Sequence, residues 1–243
     1  WLGSVHIKDR IRGGGSVMYG DNAVGGVVNI ITKKGEGKIS GRVGANYGSY
    51  DANSTDLELS GSQSKFSYYL YSKYNDKHGY RDNSDLLAKD YNTRLAYDLS
   101  DKIGIDINAG WHNDVQELPG GITGQKIQEI GRTGTTTPQD ISYTKDRYVK
   151  LGLKLDPSPQ DEYFGQFLVD VHYRNRDVYD EFNSPSFLFH TKREIDTYGL
   201  TGKYVFDKTL FDREVSFVTG VDYYATENDI LGSRDNVDIV TIS

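Results

Sequence analysis

From Lys38 onward, apolar and polar residues alternate with a period of two, and helical periodicity is nearly absent. In the first run Ile39, Gly41, Val43, Ala45 and Tyr47 share one face, with Lys38, Ser40, Arg42 and Asn46 on the other. The pattern recurs with Thr55, Leu57 and Leu59; with Phe66, Tyr68, Leu70 and Tyr74; and with Tyr91, Thr93, Leu95, Tyr97 and Leu99. It is clearest in Ile103, Ile105, Ile107, Ala109 and Trp111, which alternate with Asp106, Asn108 and His112. Later runs carry Val149 to Leu155, Phe167 to Tyr173, Tyr198 to Tyr204 and Val215 to Tyr223, and Val237 to Ile242 begins a tenth. Each run covers roughly 9 to 12 residues, whereas a soluble strand usually has about 5 to 6 and a tilted strand crossing a bilayer about 9 to 11.

Two further patterns favour the membrane. Tyr or Trp stands at strand ends, at Tyr47, Tyr74, Tyr91, Trp111, Tyr173 and Tyr223, where amphipathic rings suit the membrane–water boundary. The connections also alternate in length. Residues 63–65 and 100–102 make tight turns and 156–162 and 207–213 short ones, while 76–89, 114–145 and 176–192 read as long loops. Short turns at one end and long loops at the other are the pattern of an outer-membrane barrel.

Composition narrows this further. Of 243 residues, 36% are hydrophobic but 12% are aromatic, with 19 Tyr and 27 Gly, which excludes an aromatic-poor disordered chain. A net charge of −7 argues against nucleic-acid binding, which needs a basic face. Without Cys there is neither a disulfide framework nor a thiolate zinc site. No apolar run is long enough for a transmembrane helix. The chain starts at Trp1 without a Met and ends inside a strand-like run, so a fragment is expected.

Candidate chemistry is sparse. The stretch IRGGGSVMYGDNAVGGVVNIITKKG, residues 11–35, suggests a phosphate loop, but Met18 stands where a dinucleotide fingerprint needs its third glycine. Gly20 and Gly25 have P-loop spacing, yet Gly26 replaces the lysine and a β-branched strand follows in place of a helix. Neither a nucleophile elbow nor a zincin motif is present, so no enzyme, cofactor or resident metal is expected. His112 and His172 fall on polar strand faces, where solvated lumenal residues are expected over metal ligands. Carboxylates on those faces are expected to pair across strands with Arg42, Arg94 and Lys150. Asp177, Asp180 and Glu181 offer oxygens for Ca²⁺, without the spacing of a dedicated loop. In the loop GYRDNSD, Tyr80, Arg81 and Asn83 are candidate ligand contacts, since exposed loops on a rigid scaffold carry binding sites; ordinary turn chemistry accounts for any one of them equally well.

Residues 11–35 resemble the end of the plug domain of TonB-dependent outer-membrane receptors. Arg12-Gly13, Tyr19-Gly20 and Gly25-Gly26 precede a strand containing Asn29, as in that family, with Gly14 at its usual proline and Lys8 and Arg10 at usually apolar places. HGYRDNSD also resembles the family's second outer loop. The resemblance implies an all-β chain: the last part of a plug over residues 1–35, then a partial transmembrane antiparallel β-barrel over 36–243. About nine to ten of an expected set of about 22 strands would be present. It implies a Gram-negative outer-membrane location amid lipid, and energy-coupled uptake of an iron–siderophore complex or cobalamin. The inner-membrane TonB complex would act through a box missing from this chain. Arg12 becomes a candidate partner for Asp56 or Glu58. The alternatives are a plug-less passive porin or adhesin-type barrel, and a soluble β-sandwich binding module.

Overall fold

A computed structural model describes residues 5–11, 27–157, 164–184, 187–210, 213–234 and 237–242. Arg12, Gly13, Tyr19, Gly20, Gly25 and Gly26 lie outside the described residues. Strands β1 (Val5–Ile11) and β2 (Val27–Thr32) form an antiparallel sheet of their own, in which Asn29 pairs with Asp9. A linker, residues 33–39, leads to the main sheet.

That sheet is an antiparallel meander in which each strand pairs with its sequence neighbour. Among the described residues it has ten strands: β3 (Ser40–Gly48), β4 (Ala52–Gln63), β5 (Phe66–Lys77), β6 (Leu86–Ser100), β7 (Ile103–Glu117), β8 (Ile141–Leu155), β9 (Gln166–Ser184), β10 (Phe187–Leu210), β11 (Arg213–Arg234) and β12 (Val237–Ile242). It is an open, partial β-barrel. Its curvature shows in the burial of adjacent residues on β5: inward Tyr69 is 1% exposed and outward Leu70 is 38% exposed. Side chains converge on the concave side and splay on the convex side.

The alternation places aliphatics on the convex face and polar groups on the concave one. One row of directly opposed outward residues runs Leu95, Ile107, Leu151, Val171, Leu200. Leu151 stays 52% exposed at the centre of that row, which suits contact with lipid and not with a protein core. Aromatics bound this band on both sides. The outer belt comprises Tyr47, Tyr74, Tyr91, Trp111, Tyr173, Tyr198 and Tyr223, with Tyr91 and Trp111 centroids 5.4 Å apart and Tyr173 and Tyr198 5.1 Å apart. The inner belt contains Phe66, Tyr97, Phe167, Tyr204 and Phe217, with Phe167 and Tyr204 4.9 Å apart.

The belts cut obliquely across the hydrogen-bond ladder, and this gives the strand tilt. Starting at Tyr47 and stepping through directly opposed residues (Asn53, Asp76, Leu87, Val115, Tyr143, Tyr179, Lys192) leads to Leu231 on β11. The belt residue on β11 is Tyr223, eight residues lower after eight strand steps. One residue of about 3.3 Å per strand spacing of about 4.8 Å gives a tilt of roughly 35°, within the range of outer-membrane barrels.

Three expectations need correction. The strands are longer than the bilayer requires: β6, β7 and β8 have 15 residues, β9 19, β10 24 and β11 22. Above the outer belt, β9 and β10 carry polar outward residues (Asn175, Asp177, Glu194, Asp196) among occasional aromatics such as Tyr179, while the backbone ladder continues. Apolar alternation therefore stops at the membrane boundary and the strand does not. For the same reason the stretch 176–192 is no long loop, but the paired ends of β9 and β10. Finally, the 118–140 connection carries a short helix, α1 (Gly124–Ile130), capped by Thr123, whose side chain accepts from the Lys126 amide.

Candidate functional site: the outer loops and the lumenal wall

The long connections gather at the end of the barrel beyond the outer aromatic belt. Loop 78–85 lies against loop 118–140, and Arg81 and Asn83 hold them together. Arg81 donates from Nε and Nη2 to the Gly134 carbonyl at 3.1 and 2.8 Å, from Nη2 to Pro119 at 2.9 Å, and from Nη1 to Gly120. Asn83 directs its amide nitrogen at the carbonyls of Leu118 (3.2 Å), Asp140 (3.0 Å) and Thr137, sharing two N–H groups among three acceptors. Asn83 has φ 55°, a left-handed backbone that Asn tolerates better than most residues. Gly120 at φ 67° turns its carbonyl toward Arg81. Backbone bonds add Asp82 to Thr133 (2.7 Å) and Glu117 to Asp85 (2.9 Å).

The contact spreads to the neighbouring connections. The His78 amide donates to the Tyr50 carbonyl at 3.1 Å, and the Tyr50 and Tyr80 rings meet edge to face at 5.7 Å. On the far side, buried Asp140 accepts from the Asn183 amide at 2.7 Å, near the end of β9. The turn 49–51, both loops and the β9 end thus form one hydrogen-bonded chain. Of the three residues expected to meet ligand, Arg81 and Asn83 face backbone carbonyls and Tyr80 remains 51% exposed. His78 Nδ1 lies 2.8 Å from Asp85, and that hydrogen bond, backed by the carboxylate's charge, holds the imidazole pKa above its usual value.

The concave wall is polar and internally paired. The three cations expected to pair across strands do so: Arg42 with Asp56 (3.0 Å) and Glu58 (3.5 Å), Arg94 with Asp106 (2.7 Å), and Lys150 with Asp170 (3.0 Å). His112 is bracketed by Asp90 at 2.7 Å and Asp114 at 2.6 Å, and His172 packs 5.5 Å from the Tyr224 ring. On the same wall, Lys33, one residue beyond β2, reaches Glu58 at 3.2 Å and stands 5.8 Å above the Tyr69 ring. Strand parity separates the candidate calcium oxygens. Asp177 faces outward to Arg147 (2.9 Å) and Asp180 faces inward to Arg193 (2.8 Å), and no metal-binding group of carboxylates and histidines occurs among the described residues.

No protein-family model matches the chain. It is similar to an iron-regulated outer membrane virulence protein of Vibrio cholerae, at 29% identity over 162 residues, 60% of this chain and 24% of that one. Among solved structures, the ferric citrate transporter FecA superposes with a TM-score of 0.79 at 18% identity, over 96% of this chain and 36% of FecA. The chain has the fold of a TonB-dependent outer-membrane receptor. The ferric yersiniabactin uptake receptor FyuA of Yersinia pestis gives 0.77 at 15% identity, over 98% of this chain and 39% of FyuA. The ferripyoverdine receptor of Pseudomonas aeruginosa gives 0.73 at 16% identity, over 94% of this chain and 33% of the receptor. The chain therefore spans between a quarter and two-fifths of these proteins. FecA is a ferric citrate transporter and FyuA an uptake receptor, neither of them an enzyme, and the architecture is that of an outer-membrane β-barrel.

Sequence reasoning located the loop but not the role of Arg81 and Asn83. Their acceptors are main-chain carbonyls some 35 to 57 residues away, which carry no side-chain signature.

Proposed function

We propose that this chain forms part of an outer-membrane receptor for energy-coupled uptake of an iron–siderophore complex. The observation that carries the reading is the lipid-facing band, bounded by two oblique aromatic belts, on a wall whose inward face is polar and braced against the residue that follows β2. Residues 1–35 act as the last part of a plug and residues 36–243 as the first part of the barrel. Arg12, Gly13, Tyr19, Gly20, Gly25, Gly26 and Asn29 belong to the plug's closing motif. The partners are outer-membrane lipid, the ferric chelate, and a TonB complex acting through a box elsewhere in the protein. Iron is favoured over cobalamin because the similar proteins are named for iron or ferric chelates. A passive porin has no use for the β1–β2 sheet or the Lys33 bond to the wall.

The test is growth of a deletion strain under iron limitation, supplied in turn with ferric citrate, catecholate and hydroxamate chelates and, separately, with cobalamin. Loss of growth on one ferric chelate, restored by the full-length gene, is the expected result. Unchanged growth on every iron source refutes the assignment.

A further inference from the structure

We propose that Arg81 and Asn83 are positioning residues that weld loops 78–85 and 118–140 into one pre-assembled arm of the ligand vestibule, setting affinity without touching the ligand. The inference rests on the uptake reading for its ligand, but the weld itself stands on geometry alone.

The guanidinium of Arg81 spans the carbonyls of Pro119, Gly120 and Gly134, residues at the two ends of the helix-bearing segment. Asn83 closes the same segment nearer its base, at Leu118, Thr137 and Asp140. Between these clamps, α1 has seven residues and none is buried. A helix that short, with no packed face, does not hold its shape by propensity in water. Its position is fixed by the clamp below it, and so is that of the Thr136 hydroxyl, which donates to the Gly121 carbonyl at 3.2 Å. The surface left facing solvent includes Tyr80 from one loop and the exposed side of α1 from the other. An arm ordered before ligand arrives loses less freedom on binding than two separate loops would, and binds more tightly for that reason. A direct ligand contact by Arg81 would require it to leave carbonyls that no other cation reaches among the described residues.

The chemistry separates the two roles. Lys keeps the positive charge but presents one compact ammonium, which does not span three carbonyls in a fixed fork. If Arg81 positions the arm, Arg81→Lys resembles Arg81→Ala; if it supplies charge to an anionic chelate, Lys rescues.

The experiment uses the full-length receptor, with a nitroxide label on Gln125→Cys in α1 as its only reactive thiol. Iron-55 as citrate, catecholate and hydroxamate chelates is the uptake probe. In the native background the label is immobile. Arg81→Ala and Arg81→Lys both mobilise it and both raise the half-saturating chelate concentration by about tenfold or more, with maximal uptake and barrel melting unchanged. Asn83→Ala gives the same signature. An immobile label in both Arg81 variants overturns the proposal, as does wild-type affinity in Arg81→Lys. If no chelate enters cells carrying the native receptor, the uptake reading fails, while the label alone still decides whether the arm is welded.

Discussion

Replacing Leu151 with arginine separates a lipid-facing wall from a water-facing one. Leu151 stands midway between the belts. Two rows up, its strand reaches Arg147, opposite Trp111 of the outer belt, and two rows down it reaches Leu155, opposite Phe167 of the inner belt. Its outward neighbours are Ile107 and Val171. A cation at the midplane of a barrel's lipid face costs about 2–4 kcal/mol and falls toward about 0–1 kcal/mol near the interfaces. The expected loss for Leu151→Arg is therefore about 3 kcal/mol, more than a hundredfold in the folding equilibrium, with a smaller loss for Leu153→Arg one row nearer the inner belt. If the face met water instead, Leu151 would already be half solvated, and arginine there would change stability by less than about 0.5 kcal/mol. The assay is guanidinium unfolding of the full-length protein in phospholipid bilayers, with wild type and both variants folded first. Equal stabilities, or a larger loss at Leu153 than at Leu151, would refute the placement of the band.

Other predictions follow from the wall and the loops. Gly35 is buried, and a Cβ built on it would stand 2.0 Å from the Tyr68 carbonyl oxygen and 2.4 Å from that of Gly61. Gly35→Ala should force the linker off β4 and β5 at a cost of about 1–3 kcal/mol, read by faster hydrogen exchange at the Ser62 amide, which bonds to Gly37. Glu58→Gln removes the charge that Lys33 and Arg42 share. Both cations keep some access to water, so the loss should be only about 1 kcal/mol, measured by the same unfolding assay; a loss above about 3 kcal/mol would mean the junction is drier than its exposure indicates. His78 should titrate above the usual imidazole value, and Asp85→Asn should bring it down, by proton NMR of the labelled histidine. The stabilisation from this raised pKa is complete below about pH 6.5, the unfolded value, and is lost as pH rises through the higher folded value. An unmoved His78 titration in the Asp85 variant would show that the bond does not form in solution.

The barrel was legible because lipid imposes a period-two code that needs no context. Leu151, Val171 and Leu200 are outward for the same reason that Lys150, Asp170 and Thr201 are inward, and the pairings of Arg42, Arg94 and Lys150 followed from that parity. Parity also speaks against a shared calcium site for Asp177 and Asp180, since residues three apart on a strand face opposite ways. The code fell silent above the outer belt. Asn175, Asp177 and Asp196 sit on the upper ends of β9 and β10, beyond the lipid band, where no lipid enforces an apolar outward face. The loop weld was invisible for a different reason. Arg81 and Asn83 bond to carbonyls, and every residue carries one, so only the folded path of loop 118–140 decides which of them converge.

The central claim is that this wall belongs to a receptor that admits a ferric chelate at the expense of the proton gradient. Its most direct test is iron-55 chelate association with intact cells expressing the full-length protein, before and after a protonophore. Surface binding that survives the protonophore while internal accumulation stops is the predicted result. Accumulation that continues undiminished without the gradient would contradict it and indicate a passive pore.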